Sequence, residues 1–321
     1  MNKGPGISVV MPVYNGMPLL KESVESVLAQ KDALFQLVIG EDRSGDDSYD
    51  YLSSLTDPRV KLMRHKHNLG LFGNLNALIR ETDFELMHLW LQDDIMLPGC
   101  LQKTIAYHQQ YPEVGYAFCK YIFIDGSGRE LGRNEVTHHQ FMSVEGHAIT
   151  SLVTGSAPGN ISSVSLRKKN IEQVGYFDES MKYAGDFDMW CKLTAENPVG
   201  MIQEYLIKLR RHPRQLSRSS GMWIHRLREN KAIYDEFLKR VPESKVKYVR
   251  RGLTWRIYTQ YVGLLFKLIR TKEYGLAGAY FREFNAQKSI APVALYYLIL
   301  LVARKMGCHR KLLSKIYYKK L

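Results

Sequence analysis

The first 125 or so residues alternate short β-prone runs with helix-length stretches, and this alternation constrains the fold more than any other feature of the chain. Residues 7–12 (ISVVMP) read as a buried strand, and 18–30 as a helix with Leu20, Val24 and Val27 on one face. Residues 36–40 form a second strand, followed by the turn-forming EDRSGDDS and a helix near 49–55. Strands at 60–64, 84–91 and 114–124 continue the series, with helices at 73–80 and 101–110 between them. Repeated units of this kind imply an α/β fold with a mostly parallel, Rossmann-like central sheet flanked by helices. Ligands of such sheets bind outside the carboxyl ends of the strands.

Acidic residues fall at those ends. Glu41 and Asp42 follow the second strand, and Asp93 and Asp94 follow the fourth. A parallel sheet gathers them, and gathered carboxylates repel unless a cation or bound donors neutralise them. Mg²⁺ or Mn²⁺, held by one or two carboxylates and completed by phosphate oxygens, suits such a cluster. Taken alone, the Asp93–Asp94 pair reads rather as a solvated turn before the helix near Pro98.

The segments VVMPVYNG (9–16), LVIGEDRSGDD (37–47), NLGLFGNLNALI (68–79), LQDDIMLPG (91–99) and AGDFDMWCKL (184–193) occur in one order. In that order and spacing they resemble the family 2 nucleotide-sugar glycosyltransferases over residues 7–219. The resemblance implies a GT-A fold and an inverting transfer. It implies that Pro12, Tyr14 and Asn15 lie in the loop after the first strand, closing on the donor base and ribose. It assigns Asp42 to the uracil imide, Asp93 to the ribose and Asp94 to the metal, with Asn76 in the donor site. Asp186 matches the catalytic base, and Asp188 follows it as an acceptor- or loop-orienting acid; either also reads as an ordinary acid of a first helical turn. His212 is placed to reach the metal or a phosphate, and Arg211 or Arg214 to pair with phosphate oxygens. The chain departs from the family pattern at Gly185, where an acid is usual, at Arg43 in a turn that usually carries Gly or Asn, and at Leu75, where an Arg is frequent.

The net charge of +13 is concentrated at one end. Residues 241–321 hold 17 Lys and Arg against Glu243, Glu273 and Glu283, and the rest of the chain is nearly neutral. Two regions follow: a GT-A domain over 1–220 and a basic amphipathic helical extension over 221–321. The uncharged run 290–303 is too short to span a bilayer, but basic residues flank it, as in helices that lie on anionic leaflets. An anionic membrane is therefore the expected partner of 241–321, with packing against the protein itself as the alternative; no nucleic-acid module is visible. No export signal is read at the N-terminus, and the four scattered cysteines suggest neither a zinc site nor a disulfide framework. A location on the cytoplasmic face of the cell membrane follows.

The expected activity is metal-dependent transfer from a nucleoside-diphosphate sugar, UDP- or dTDP-linked, to a hydroxyl of a glycan or lipid-linked saccharide in surface polysaccharide synthesis. A dehydrogenase is disfavoured because no GxGxxG follows the first strand. A sugar nucleotidyltransferase would need a Gly-rich basic loop where VYNGMPLL stands. A non-catalytic carbohydrate-binding protein would not need Asp42, Asp93, Asp94 and Asp186 together.

Overall fold

The computed structural model describes residues 5–134, 140–212, 215 and 219–306. In chain order the elements are β1 (Gly6–Val13), α1 (Leu19–Leu28), β2 (Leu34–Glu41), α2 (Ser48–Ser53), β3 (Val60–Arg64), α3 (Gly70–Arg80), β4 (Leu86–Leu89), β5 (Ile95–Met96) and α4 (Cys100–Gln110). They continue with β6 (Tyr116–Ile124), β7 (Glu130–Arg133), β8 (Phe141–Met142), α5 (Val144–Thr154), β9 (Val164–Arg167), α6 (Lys168–Val174), α7 (Gly185–Leu193) and β10 (Val199–Arg210). The last helices are α8 (Trp223–Leu238), α9 (Glu243–Leu253), α10 (Thr259–Arg270), α11 (Tyr274–Gln287) and α12 (Ile290–Lys305), with a π-helical turn, Thr254–Tyr258, between α9 and α10.

These elements fall into two compact units. The first holds the sheet, ordered β3-β2-β1-β4-β9-β6-β10-β5, with β7 on β6 and β8 on β10. Strands β1 to β4 are mutually parallel, as are β6 and β10, and β9 runs antiparallel between β4 and β6. Because β9 reverses direction against both neighbours, β1, β2, β4, β6 and β10 all end at the same edge. The central strands are apolar on both faces, as a sheet covered by helices requires: Val9, Val10, Leu37, Val38 and Leu89 are fully buried. Helix α3 approaches β2 so closely that a Cβ at Gly40 would lie 2.0 Å from Oδ1 of Asn74, whose Nδ2 donates to the Gly40 carbonyl.

Strand β10 was not anticipated. Its pairing with β6 shifts register twice between Ile202 and Ile207, so inward and outward residues do not alternate cleanly, and Gln203 and Glu204 interrupt the apolar run.

The second unit takes residues 145–157, 181–187 and the described residues beyond 213. It therefore differs from an extension beginning at 221, because two earlier segments belong to it. Its core is aromatic: Phe187 packs on Tyr234 and Phe237, His147 on Phe237, and Trp255 stacks on Tyr296 at 4.2 Å. Among the described residues no single helix is long and apolar enough to cross a membrane, and α11 and α12 together bend by 106°.

Candidate active site

The shared edge of the sheet unit carries the sequence motifs. Pro12 is not in the loop after β1; it lies buried within that strand, in register with Gly40. The loop begins at Tyr14, whose N–H donates to Oε1 of Gln92 at 2.8 Å while Nε2 of Gln92 donates back to its carbonyl. The Tyr14 side chain stays half exposed. Asn15 sits at φ +49, receives the Gly45 N–H on Oδ1 and donates its own N–H to Ser44. The loops after β1 and β2 are thus pinned to each other with the phenol ring left facing outward.

Asp42 is 2% exposed, and its two oxygens accept the N–H groups of Leu69 and Gly70 at 2.7 and 2.9 Å. Its first task is to fasten the start of α3 to the end of β2, and an imide N–H would have to use a remaining lone pair. Glu41 is buried and pairs with Arg64 at 3.1 Å. Arg43 occupies the left-handed region at φ +63, which explains why the position suits Gly or Asn; here its Nε donates to the Lys66 carbonyl. Asn76 points inward. Its amide donates to the Phe177 carbonyl and to Glu179 and accepts the Phe177 N–H, so it clamps the 177–179 segment. Leu75 is fully buried and offers no cation contact.

The two aspartates after β4 have opposite surroundings. Asp94, the expected metal ligand, is 1% exposed. Its Oδ2 accepts the Ser162 hydroxyl at 2.5 Å and its Oδ1 the backbone N–H of Arg210 at 2.9 Å. Burial, reinforced by the neighbouring Asp93 charge, pushes its carboxyl well above the usual range. Asp93 instead meets His212, two residues beyond β10, at 2.9 Å between Oδ2 and Nε2, with both side chains partly exposed. The two carboxylates therefore differ: Asp94 ties the turn into the protein, and Asp93 lies beside the imidazole.

Arg210 makes this arrangement possible and was not foreseen. It is 2% exposed, and its guanidinium donates to the carbonyls of Asp93, Asp125 and Gly126 and pairs with Glu22. Neither Arg210 nor Ser162 carries a motif signal, since each acts through tertiary contacts. Arg211 stacks its guanidinium 3.5 Å from the centroid of the Phe123 ring. Arg214 lies outside the described residues.

An oxygen donor and an imidazole nitrogen side by side suit a divalent cation such as Mn²⁺. Among the described residues no group of three or more His, Cys, Asp or Glu gathers, so those residues would contribute a pair.

The model of glycosyl transferase family 2 matches residues 8–174, just over half of the chain. The chain belongs to glycosyl transferase family 2. This glycosyltransferase is 27% identical over 280 residues to an uncharacterized glycosyltransferase of Rickettsia prowazekii, covering 85% of this chain and 84% of that one. One from Methanocaldococcus jannaschii is 23% identical over 259 residues, covering 79% and 85%. Among solved structures, S. aureus TarS aligns with 78% of this chain and 43% of its own at 16% identity and a TM-score of 0.60. TarS 1–349 in complex with UDP-GlcNAc aligns over 94% and 92% at 14% identity and a TM-score of 0.57. The fold is GT-A, as the motif order implied.

In the second unit of the glycosyltransferase, Asp186 occupies the first turn of α7, and its Oδ1 accepts the Phe187 N–H at 2.8 Å. The residue is partly buried, and burial raises its carboxyl to a pKa of about 6. Asp188 lies in the sheet unit and pairs with Lys192 at 2.5 Å, an ion pair along the helix without hydrogen-bond alignment.

Proposed function

We propose that this glycosyltransferase transfers a sugar, with inversion, from a nucleoside-diphosphate sugar to a hydroxyl of a glycan or lipid-linked saccharide. The Asp93–His212 pair at the carboxyl edge of the sheet is the observation that carries this reading. These two residues would hold Mn²⁺ or Mg²⁺, and the cation, when bound, supplies charge neutralisation for the departing diphosphate. The chain's own residues do the rest. The Tyr14–Asn15 loop, fixed by Gln92, Ser44 and Gly45, offers an exposed ring for the nucleoside. Arg211, next to His212 in sequence and stacked on Phe123, would supply a cation for the phosphates. Asp186 takes the proton of the acceptor hydroxyl as that oxygen attacks the anomeric carbon, and a pKa of about 6 leaves it deprotonated yet basic near neutrality. Solved TarS 1–349 in complex with UDP-GlcNAc supports a uridine nucleotide donor.

We further propose that α12 docks on an anionic bilayer, at the cytoplasmic face of the membrane, where polysaccharide precursors are assembled on lipid. Leu295, Leu298, Val302 and Met306, all more than half exposed, recur at three- and four-residue spacing along one stripe. Val293, Leu300 and Ala303 bury the other side of the helix. Arg304 and Lys305 in its last turn supply charge for acidic headgroups. Residues 307–321, the remainder of the basic segment, lie outside the described residues. The deciding experiment for the catalytic reading is a panel of sugar nucleotides titrated with and without Mn²⁺: one donor should bind in a metal-dependent way, and metal-independent binding of all or none would defeat it.

A further inference from the structure

We propose that Glu229 of α8 is the positioning residue for Asp186, fixing the backbone immediately ahead of it and placing a second negative charge near its carboxyl. The inference rests on the reading of Asp186 as the general base.

Residues 182–184 lead directly into α7, and their backbone N–H groups lie just ahead of its first residue, Gly185. Glu229, on another helix, receives all three. Its Oε1 accepts the Lys182 N–H at 3.0 Å, and its Oε2 accepts those of Tyr183 and Ala184 at 3.0 and 2.7 Å. Three consecutive backbone donors on one carboxylate of 13% exposure define the path of the chain into α7. All of these residues lie in the second unit.

The same carboxylate acts on Asp186 through space. Burial is the largest influence raising Asp186, the Phe187 N–H opposes it, and the Glu229 charge adds to the rise. Other ionisable groups near the pair include Lys182 and Tyr183 on the clamped segment, Asp188 two residues beyond Asp186, His225, 3.8 Å from Glu229, and Arg226, which lies over the rings of Tyr183 and Tyr261 with Tyr234 and Tyr280 nearby. A base kept more basic by a fixed neighbouring anion removes a proton more effectively at a given pH.

Two effects follow, and two variants separate them. Glu229→Gln removes the charge and disrupts part of the backbone clamp; Glu229→Asp keeps the charge but shortens the reach. Each is compared with wild type by nucleoside-diphosphate release from whichever member of a UDP-, dTDP- and GDP-sugar panel turns over fastest. Glu229→Gln should lower kcat by about tenfold or more, leave donor KM unchanged and move the acid inflection of the pH profile downward. Glu229→Asp should lower kcat with the inflection in place. The Asp186 carboxyl is also titrated directly by ¹³C NMR, which requires no substrate, and its midpoint should fall in Glu229→Gln. His225→Gln serves as the control and should leave that midpoint where it is. Wild-type kcat with an unmoved midpoint in Glu229→Gln would overturn the proposal; should that variant not fold, wild-type kcat in Glu229→Asp would do so. Activity retained in Asp186→Asn would instead defeat the underlying base assignment, whatever Glu229 does.

Discussion

The Nε2 of His212 stands 2.9 Å from Oδ2 of Asp93 and joins the turn after β4 to the segment after β10 across 119 residues of sequence. Two strands that end at one edge of a parallel sheet make this meeting possible. It turns an acid and a histidine into a candidate metal pair.

Removing either member should weaken the metal-dependent part of donor binding. Asp93→Ala and His212→Ala are each expected to lower donor affinity in Mn²⁺ by about tenfold or more, with little change in EDTA. Isothermal calorimetry checks this, and equal losses in both conditions would count against a metal role.

Asp94 should behave differently. Asp94→Ala strands the Ser162 hydroxyl and the Arg210 N–H in a buried site, at a cost of about 2–4 kcal/mol in unfolding free energy. Asp94→Asn retains much of the shape and should keep metal-dependent binding. Denaturant titration together with the same calorimetry separates the two outcomes.

Truncating Arg210 unpairs Glu22 and three carbonyls at once. Arg210→Ala is expected to destabilise the sheet unit by about 3–5 kcal/mol, and Arg210→Lys to recover little because one ammonium cannot replace the fork. Urea unfolding at neutral pH measures both; a loss below about 1 kcal/mol would contradict the hub role.

In the proposed base role Asp186 would link activity to pH, while its raised pKa works against stability at high pH. Its folded pKa, about 6, lies above the value in an unfolded chain. Its stabilising contribution is therefore complete below the unfolded pKa and lost as pH rises through 6, while catalysis by the anion rises over the same interval. Asp186→Asn should abolish transfer yet be more stable than wild type at pH 8, by on the order of 1–2 kcal/mol, with the difference vanishing below about pH 4. Differential scanning calorimetry at the two pH values tests the sign.

For α12, Leu298→Glu with Val302→Glu should cut cosedimentation with phosphatidylglycerol-containing vesicles several-fold without changing the melting temperature. High salt should weaken wild-type binding in the same assay. Equal binding by the double variant would remove the helix from the interface.

Much of the sheet was readable because its strands are short apolar runs separated by turn residues, so β1, β2 and β3 fall where periodicity put them. The site was readable only as residue types. Which of two adjacent carboxylates faces outward is decided by Ser162 and Arg210, neither of which lies near them in sequence. Asn76 followed the family pattern, but its amide is consumed by the 177–179 segment, a contact that no local signal announces. Strand β10 was missed because its bulge breaks the alternation by which strands are recognised.

Helix α7 begins in one unit and finishes in the other, with Gly185 to Phe187 grouped with the C-terminal helices. A chain cut after 213 would keep every motif segment through the end of α7 and still lose the acceptor of three N–H groups ahead of Asp186. Exchanging the C-terminal helices between related enzymes would therefore also exchange the carboxylate that holds the backbone ahead of Asp186.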